Sequence, residues 1–402
     1  MSLFYMPYGE LPMNRKNYRT VVLLILISLV FMVGVSACTD GPVGIFASIA
    51  QETDINASRT AAFDGTSPDF VGRLGSDYYT IINGTIWKPV AGVWKKLATI
   101  PPGVSNGTAS SAATIGGATP TLFVTFGLIG DGTQKVWSTI NGTDWVSVDA
   151  TFAENGQIDS LLSANDQLFV VTRADTTVDS ATTTSYSVYF WNGTSFVLTG
   201  PGGTELTDLS GRPTSVAFDG TDYWLTAGEA IYQEATADAL VAVVANLPDD
   251  SFTGVTTDGT NVIFSSISGK LYTYNGSGAW PVSGVFEKSD LPHAFSTPTV
   301  VDDGTNTYLL IGTNYASDAA SASGYLEFDI STEFNPTTAS ASEGSDFADI
   351  VNFQTSVSAN YISKFYVADE GAGKLRVFAL TVGNGLWSNY FDGTSWSGWA
   401  RE

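Results

Sequence analysis

What this sequence lacks narrows its chemistry first. A single cysteine and a single histidine stand among 402 residues. One thiol cannot close an internal disulfide, and one thiol with one imidazole cannot make a structural zinc centre. Basic residues are scarce: 17 Lys and Arg against 40 Asp and Glu leave a net charge of −23. Nucleic acid is excluded as a partner on that ground, because phosphates demand a basic footprint. Helical periodicity is missing beyond residue 58. Apolar residues, by contrast, are plentiful at 44%, which excludes a disordered chain.

What is present begins with an address. Arg15, Lys16 and Arg19 precede an apolar run from Val21 to Val35, broken only by Ser28 and Gly34. The run is shorter than the roughly 20 residues a membrane-spanning helix needs. Small Ser36 and Ala37 and then polar Thr39-Asp40 follow it, the order of an export signal. Met1–Pro12 carries Glu10 and no basic residue, so Met13 is read as the initiator. Val35-Ser36-Ala37-Cys38 resembles the lipobox of bacterial lipoproteins. The resemblance implies cleavage before Cys38, lipidation of its sulfur, and display at the bacterial cell envelope with a membrane as partner. Two or more acyl chains make such an anchor stable. The expected division is a signal over 1–37, a lipidated N-terminus and tether over 38–57, and a folded domain over 58–402.

Within that domain a turn recurs. Asn83-Gly84-Thr85, Asn141-Gly142-Thr143, Asn192-Gly193-Thr194, Asn275-Gly276-Ser277 and Asp392-Gly393-Thr394 each follow an aromatic, β-branched segment such as Tyr186–Trp191. Asn-Gly and Asp-Gly are strong hairpin signals, because a type I′ turn needs positive φ at both central residues. A second set interleaves: Asp64-Gly65-Thr66, Asp219-Gly220-Thr221, Asp258-Gly259-Thr260 and Asp303-Gly304-Thr305. Four short strands every 40 to 50 residues is the pattern of a β-propeller. The expected fold is all-β, a propeller of seven four-stranded blades, with six or eight left open. Units are placed at 58–100, 118–152, 158–200, 213–247, 252–290, 296–348 and 362–402. Ile45–Ile49 is a candidate closing strand. A sandwich seldom reaches this length, and the spacing is too long for β-helix coils.

With strands A to D in each blade, the Asp-Gly-Thr turns are expected to join A to B and the Asn-Gly-Thr turns C to D, at one face. The Ser/Thr/Ala-rich segments Val104–Ala118, Ala174–Ser185 and Ala316–Ser323 then fall on the opposite face, at D–A and B–C connections. Variable loops on a rigid scaffold are where function gathers.

Chemical motifs are weak. Ser138-Thr139-Ile140-Asn141-Gly142-Thr143-Asp144-Trp145 resembles a degenerate Asp-box of sialidases and related propellers, with Ile140 at the Asp position. In that family the box is a structural turn, and the chemistry needs three clustered arginines. Here Arg59, Arg73, Arg173, Arg212, Arg376 and Arg401 are scattered. His293 has no identifiable nucleophile or orienting acid. Glu370-Gly371-Ala372-Gly373-Lys374-Leu375 lacks the first glycine and the Ser/Thr of a phosphate loop. Asp249-Asp250 and Asp302-Asp303 are paired acids of the kind that hold calcium, although Asp303 belongs to a repeat turn. No cofactor, metal or catalytic residue is assigned. The expectation is non-enzymatic binding or scaffolding of a protein or glycan through the long-loop face; the alternative is a carbohydrate-active or other hydrolytic propeller.

Overall fold

The computed structural model describes residues 63–402 apart from 64, 103, 105–107, 128–133, 149–151, 153–156, 199–204, 235–239, 243–249, 275–284, 288–292, 316–323, 332–333 and 336–360. The expected signal over 1–37, Cys38, the expected tether, Ile45–Ile49 and Arg59 lie outside the described residues, as do Asn275-Gly276-Ser277 and Ala316–Ser323.

Seven antiparallel sheets form, each from consecutive strands. Blade 1 holds β1 (Pro68–Leu74), β2 (Asp77–Ile82), β3 (Thr85–Val90) and β4 (Val93–Lys96). Blade 2 holds β5 (Ala109–Ile115), β6 (Thr121–Phe126), β7 (Lys135–Thr139) and β8 (Val146–Val148). Blade 3 holds β9 (Gln157–Ala164), β10 (Gln167–Val178), β11 (Ala181–Trp191), β12 (Phe196–Val197) and β13 (Leu206–Leu209); the last two share one edge of β11. Blade 4 holds β14 (Pro213–Phe218), β15 (Tyr223–Ala227), β16 (Ala230–Glu234) and β17 (Leu240–Ala242). Blade 5 holds β18 (Phe252–Thr257), β19 (Val262–Ser266), β20 (Lys270–Tyr274) and β21 (Val285–Glu287). In blade 6, β22 (His293–Phe295) and β23 (Thr299–Asp302) both pair with β24 (Thr307–Tyr315), as one inner strand broken at Ser296–Pro298, and β25 (Tyr325–Asp329) follows. Blade 7 holds β26 (Ile362–Gly371), β27 (Lys374–Thr381), β28 (Leu386–Phe391) and β29 (Ala400–Arg401). This is the all-β, seven-bladed propeller read from the repeats.

The second strand of each blade shows why the sheets stack. Successive side chains of a strand point to opposite faces. In β6, Leu122, Val124 and Phe126 pack toward blade 1, while Phe123 packs toward blade 3. Both faces are covered, so the strand reads as an unbroken apolar run rather than an alternating one. Each of the seven core clusters lies between neighbouring blades, so the hydrophobic core is distributed around the ring.

The structure corrects two expectations. Unit 2 starts earlier than 118, because the Ser/Ala-rich stretch Ala109–Ile115 is β5, its innermost strand. Small residues fit where inner strands converge, and their composition imitates a loop. Unit 1 is also one strand out of phase: Asp64-Gly65-Thr66 precedes β1, and Asn83-Gly84 joins β2 to β3, so it is a B–C turn.

Among the described residues no strand is exchanged between blades 7 and 1. Phe63 instead fills their interface, edge-on to Trp87 and Trp94 at 5.5 and 5.6 Å. Gly385 N–H donates to the Thr66 carbonyl at 2.9 Å. The Glu402 side chain finishes the seam. It accepts from Trp94 Nε1 at 2.9 Å and from the Ser388 hydroxyl, and lies 3.6 Å from Arg376 Nη1. Arg376 also pairs with Glu370 at 3.1 Å, and Glu370 accepts from the Tyr78 hydroxyl at 2.6 Å. Burial, then that bond and the Glu370 charge, raise the Tyr78 phenol well above its ordinary pKa. Glu402→Ala strands the Trp94 N–H and is expected to destabilise the ring by about 1–3 kcal/mol in urea titration. An unchanged unfolding midpoint would show that the seam does not depend on this carboxylate.

Candidate ligand-binding face

The A–B and C–D connections make one face of the ring, where the described repeat turns are capped locally. At Asn83-Gly84, a B–C turn of the other face, both central residues have positive φ, 50° and 71°, as a type I′ turn requires. The other repeat turns differ from that expectation. At Gly142, Gly193, Gly220, Gly259, Gly304 and Gly393 only the glycine is left-handed, and the preceding Asn or Asp caps the loop. Asp219 Oδ1 accepts from the N–H groups of Thr221 and Asp222 at 2.8 and 2.7 Å. Asn141, Asn192, Asp258, Asp303 and Asp392 repeat the arrangement. The acid therefore has a local hydrogen-bonding role. Backbone bonds from Ser395 and Thr394 hold the Asp392 carboxyl below the usual range. Asp303 Oδ2 also accepts from Trp396 Nε1 of blade 7 at 3.2 Å, tying two blades together.

These bonds settle several candidates. Asp302 accepts from Gly304 N–H at 2.8 Å, so both members of that acidic pair serve the turn. Asp250 accepts from the Tyr272 hydroxyl at 3.0 Å; its neighbour Asp249 lies outside the described residues. The glycine-rich segment after Glu370 is the turn between β26 and β27. His293 is placed in β22, backbone-paired with Tyr315. Of the arginines, Arg73 and Arg376 come together over the Tyr78 ring, at 6.0 and 5.7 Å from its centroid. Arg173, Arg212 and Arg401 lie elsewhere, paired respectively with Asp175, Asp159 and Asn384. Among the described residues no three-arginine cluster forms.

The opposite face carries the B–C and D–A connections. Three of its B–C turns are short, at Asn83-Gly84, Gly228-Glu229 and Ile267–Gly269. Blade 3 departs from them. Ala174–Ser185, read as a loop from its composition, is a continuation of β10 and β11 into a two-stranded arm. Its tip turns at Asp179 and Ser180, with φ of 51° and 68°. The five residue pairs beyond Arg173 extend about 16 Å at strand rise. Asp175 pairs with Arg173 at 2.8 Å and accepts from Thr184 at 2.7 Å, and the Thr177 and Thr182 hydroxyls meet at 3.1 Å. The Asp175–Thr184 and Thr177–Thr182 bonds cross between the strands, and cross-strand pairs stiffen a hairpin. Val178, at the tip, is 63% exposed. Neither outer edge of the arm is paired by another strand among the described residues.

A central channel of ≈ 690 Å³ runs inside the ring, lined by the inner strands of all seven blades. Its wall is rich in hydroxyls, and four charged residues line it: Asp69, Asp159, Arg212 and Lys364. Inner strands run from the D–A face toward the A–B face. Asp69, Asp159 and Lys364 sit near the starts of β1, β9 and β26, and Arg212 just ahead of β14, so all four gather at the D–A mouth. Arg212 Nε donates to Asp159 Oδ2 at 2.7 Å. Burial raises the Asp69 pKa. Lys364 is exposed to the channel yet enclosed by the ring, and desolvation lowers its ammonium pKa. None of these four was singled out from sequence as channel-lining. The available signal was a charge inside a strand, as in Ile362-Ser363-Lys364-Phe365, and it becomes readable only once the innermost strands are known.

No family model and no curated protein matches this chain. Solved propellers do. The chain is similar to the Dos1 propeller at 11% identity with a TM-score of 0.50, over 83% of this chain and 80% of that one. It also matches the WD40 β-propeller domain of Doa1 at 11% identity and a TM-score of 0.47, over 82% and 98%. Sqt1 of Saccharomyces cerevisiae matches at 11% and 0.46, over 82% and 96%. Identities this low speak to fold alone.

Proposed function

We propose that this chain is a lipid-anchored propeller of the bacterial cell envelope that binds a protein or glycan partner, without catalysis, through the face bearing the blade-3 arm. One observation carries the binding reading: a stiff, exposed, open-edged hairpin stands on one face of the ring, while the described repeat turns of the opposite face are capped by their own Asn and Asp side chains. An extended partner segment can add to an open strand edge through main-chain hydrogen bonds. The lipobox resemblance at Cys38 supports the anchor. A hydrolytic alternative would use Asp69, the desolvated acid of the channel. Its companion carboxylate Asp159 is engaged by Arg212, whereas a general base must be free to take a proton.

The test compares wild type, Cys38→Ser, and a variant in which an Asn-Gly turn joins Arg173 directly to Tyr186, all expressed in a bacterial host. Wild type should enter the detergent phase with an acylated Cys38, and Cys38→Ser should remain aqueous or unprocessed. The trimmed variant should stay anchored and keep its melting temperature, since residues 175–183 are exposed, but lose at least about tenfold of its cross-linking to envelope partners. Aqueous wild type would sink the anchor. Undiminished cross-linking by the trimmed ring would sink the arm.

A further inference from the structure

We infer that the D–A mouth of the channel is a binding site for a small polyhydroxy carboxylate, a sugar acid in chemical class, held at its carboxylate by Lys364 and Arg212. The site is separate from the arm, and it stands whether or not the arm binds a partner.

Lys364 carries the argument. Among the described residues no carboxylate pairs with it, in a chain with 40 acids and 17 basic residues. Pairing a lone cation would be easy in such a composition, yet this one faces the channel without a carboxylate. Burial penalises its charged form, and an anion bound beside it would relieve that penalty. Arg212 supplies a second cation. Its Nε is held by Asp159, its side chain is 56% exposed, and its two terminal nitrogens have no partner among the described residues. A guanidinium fork fits a carboxylate.

The rest of the mouth selects for hydroxyls. Ser215 and Thr297 lie at the same end. Half-buried Phe70 and Tyr366 offer apolar surface beside the polar groups. The volume, ≈ 690 Å³, falls within the roughly 300–1,000 Å³ typical of small-molecule sites. The net charge of −23 repels polyanions at long range, so the local cations suit a ligand with one negative charge.

Calorimetric titration of the detergent-solubilised full chain tests this, with galacturonate as the probe and galactose as its neutral match. Galacturonate should bind at least about tenfold more tightly than galactose, the scale of one charge-assisted hydrogen bond. Lys364→Met should lower galacturonate affinity by a similar factor while its melting temperature holds or rises, because an unpaired enclosed charge has been removed. Lys364→Arg should keep part of the affinity. Arg212→Gln, read in parallel, should weaken galacturonate more than galactose and keeps the test independent of how the Lys364 variant folds. The arm-trimmed ring should bind galacturonate as wild type does. Failure of galacturonate, glucuronate and gluconate alike to bind wild type overturns the inference, as does equal galacturonate affinity in wild type, Lys364→Met and Arg212→Gln.

Discussion

Trp224→Ala should cost about 3–5 kcal/mol of folding stability, the range for truncating a fully buried aromatic. Trp224 is completely buried on β15 and faces blade 5. Its ring lies 5.2 Å from Tyr274 and 6.0 Å from Phe264, centroid to centroid. The loss has two parts. Removing the indole opens a cavity between two rigid sheets that cannot collapse without moving a blade. It also takes away the donor to Asp219 Oδ2, 2.8 Å from Nε1, the same carboxylate whose other oxygen caps the A–B turn. Trp224→Phe separates them, because it keeps most of the packing and drops the hydrogen bond; about 1–2 kcal/mol is expected. Urea unfolding should show the midpoint falling with little change in slope. A loss under about 1 kcal/mol for the alanine variant would mean that the blade 4–5 interface repacks, against the rigidity argued here.

Gly312→Ala should be as damaging, although it adds a single methyl group. Gly312 lies on β24 where blade 6 meets the entry to blade 7. A Cβ there would stand 1.9 Å from the Ile362 carbonyl oxygen and 2.7 Å from the Ser296 hydroxyl. The first of these is backbone, which cannot rotate away. Ser296 is fixed as well, since its hydroxyl accepts from Gly312 N–H at 2.9 Å and its N–H donates to the Gly312 carbonyl at 2.9 Å. Relief requires separating the two blades, so the cost should reach or pass the roughly 3 kcal/mol upper range for overpacking. Gly259→Ala is the control. Gly259 has open space around it but a φ of 88°, so only local backbone strain of about 1–2 kcal/mol is expected. If the two variants lose equal stability, contact between blades is not what requires glycine at 312.

The contrast between those two glycines also shows what could be read in the sequence. Gly259 sits in Asp258-Gly259-Thr260, a local signal whose capping bonds span three residues, and the repeat of such signals gave the blade count. Gly312 answers to Ile362, fifty residues on, and nothing near it in sequence says so. The channel follows the same rule. Lys364 faces a wall assembled from seven separate strands, so its setting emerges only from closure of the ring. Misreadings came where composition and topology diverge. Ala109–Ile115 looks like a linker because crowding at the axis favours Ser and Ala. Ala174–Ser185 looks like a loop because an arm with no core to cover needs no apolar face. Asn83-Gly84 falls one strand earlier in its blade than the repeat suggests, because a turn dipeptide marks a hairpin without saying which pair of strands it joins.

The side-chain seam between blades 7 and 1 bears on the order in which the molecule is made. Rings that borrow a strand leave one sheet short until the two ends of the chain meet. Here every hydrogen bond within blade 1 can form once Lys96 has left the ribosome, and each later sheet completes from chain already in hand. Pairing at short sequence separation is fast and leaves few unpaired strand edges waiting for a partner. Among the described residues the docking of blade 7 on blade 1, with Glu402 and Phe63 at the seam, joins the parts of the chain farthest apart in sequence, and by then each described sheet is complete.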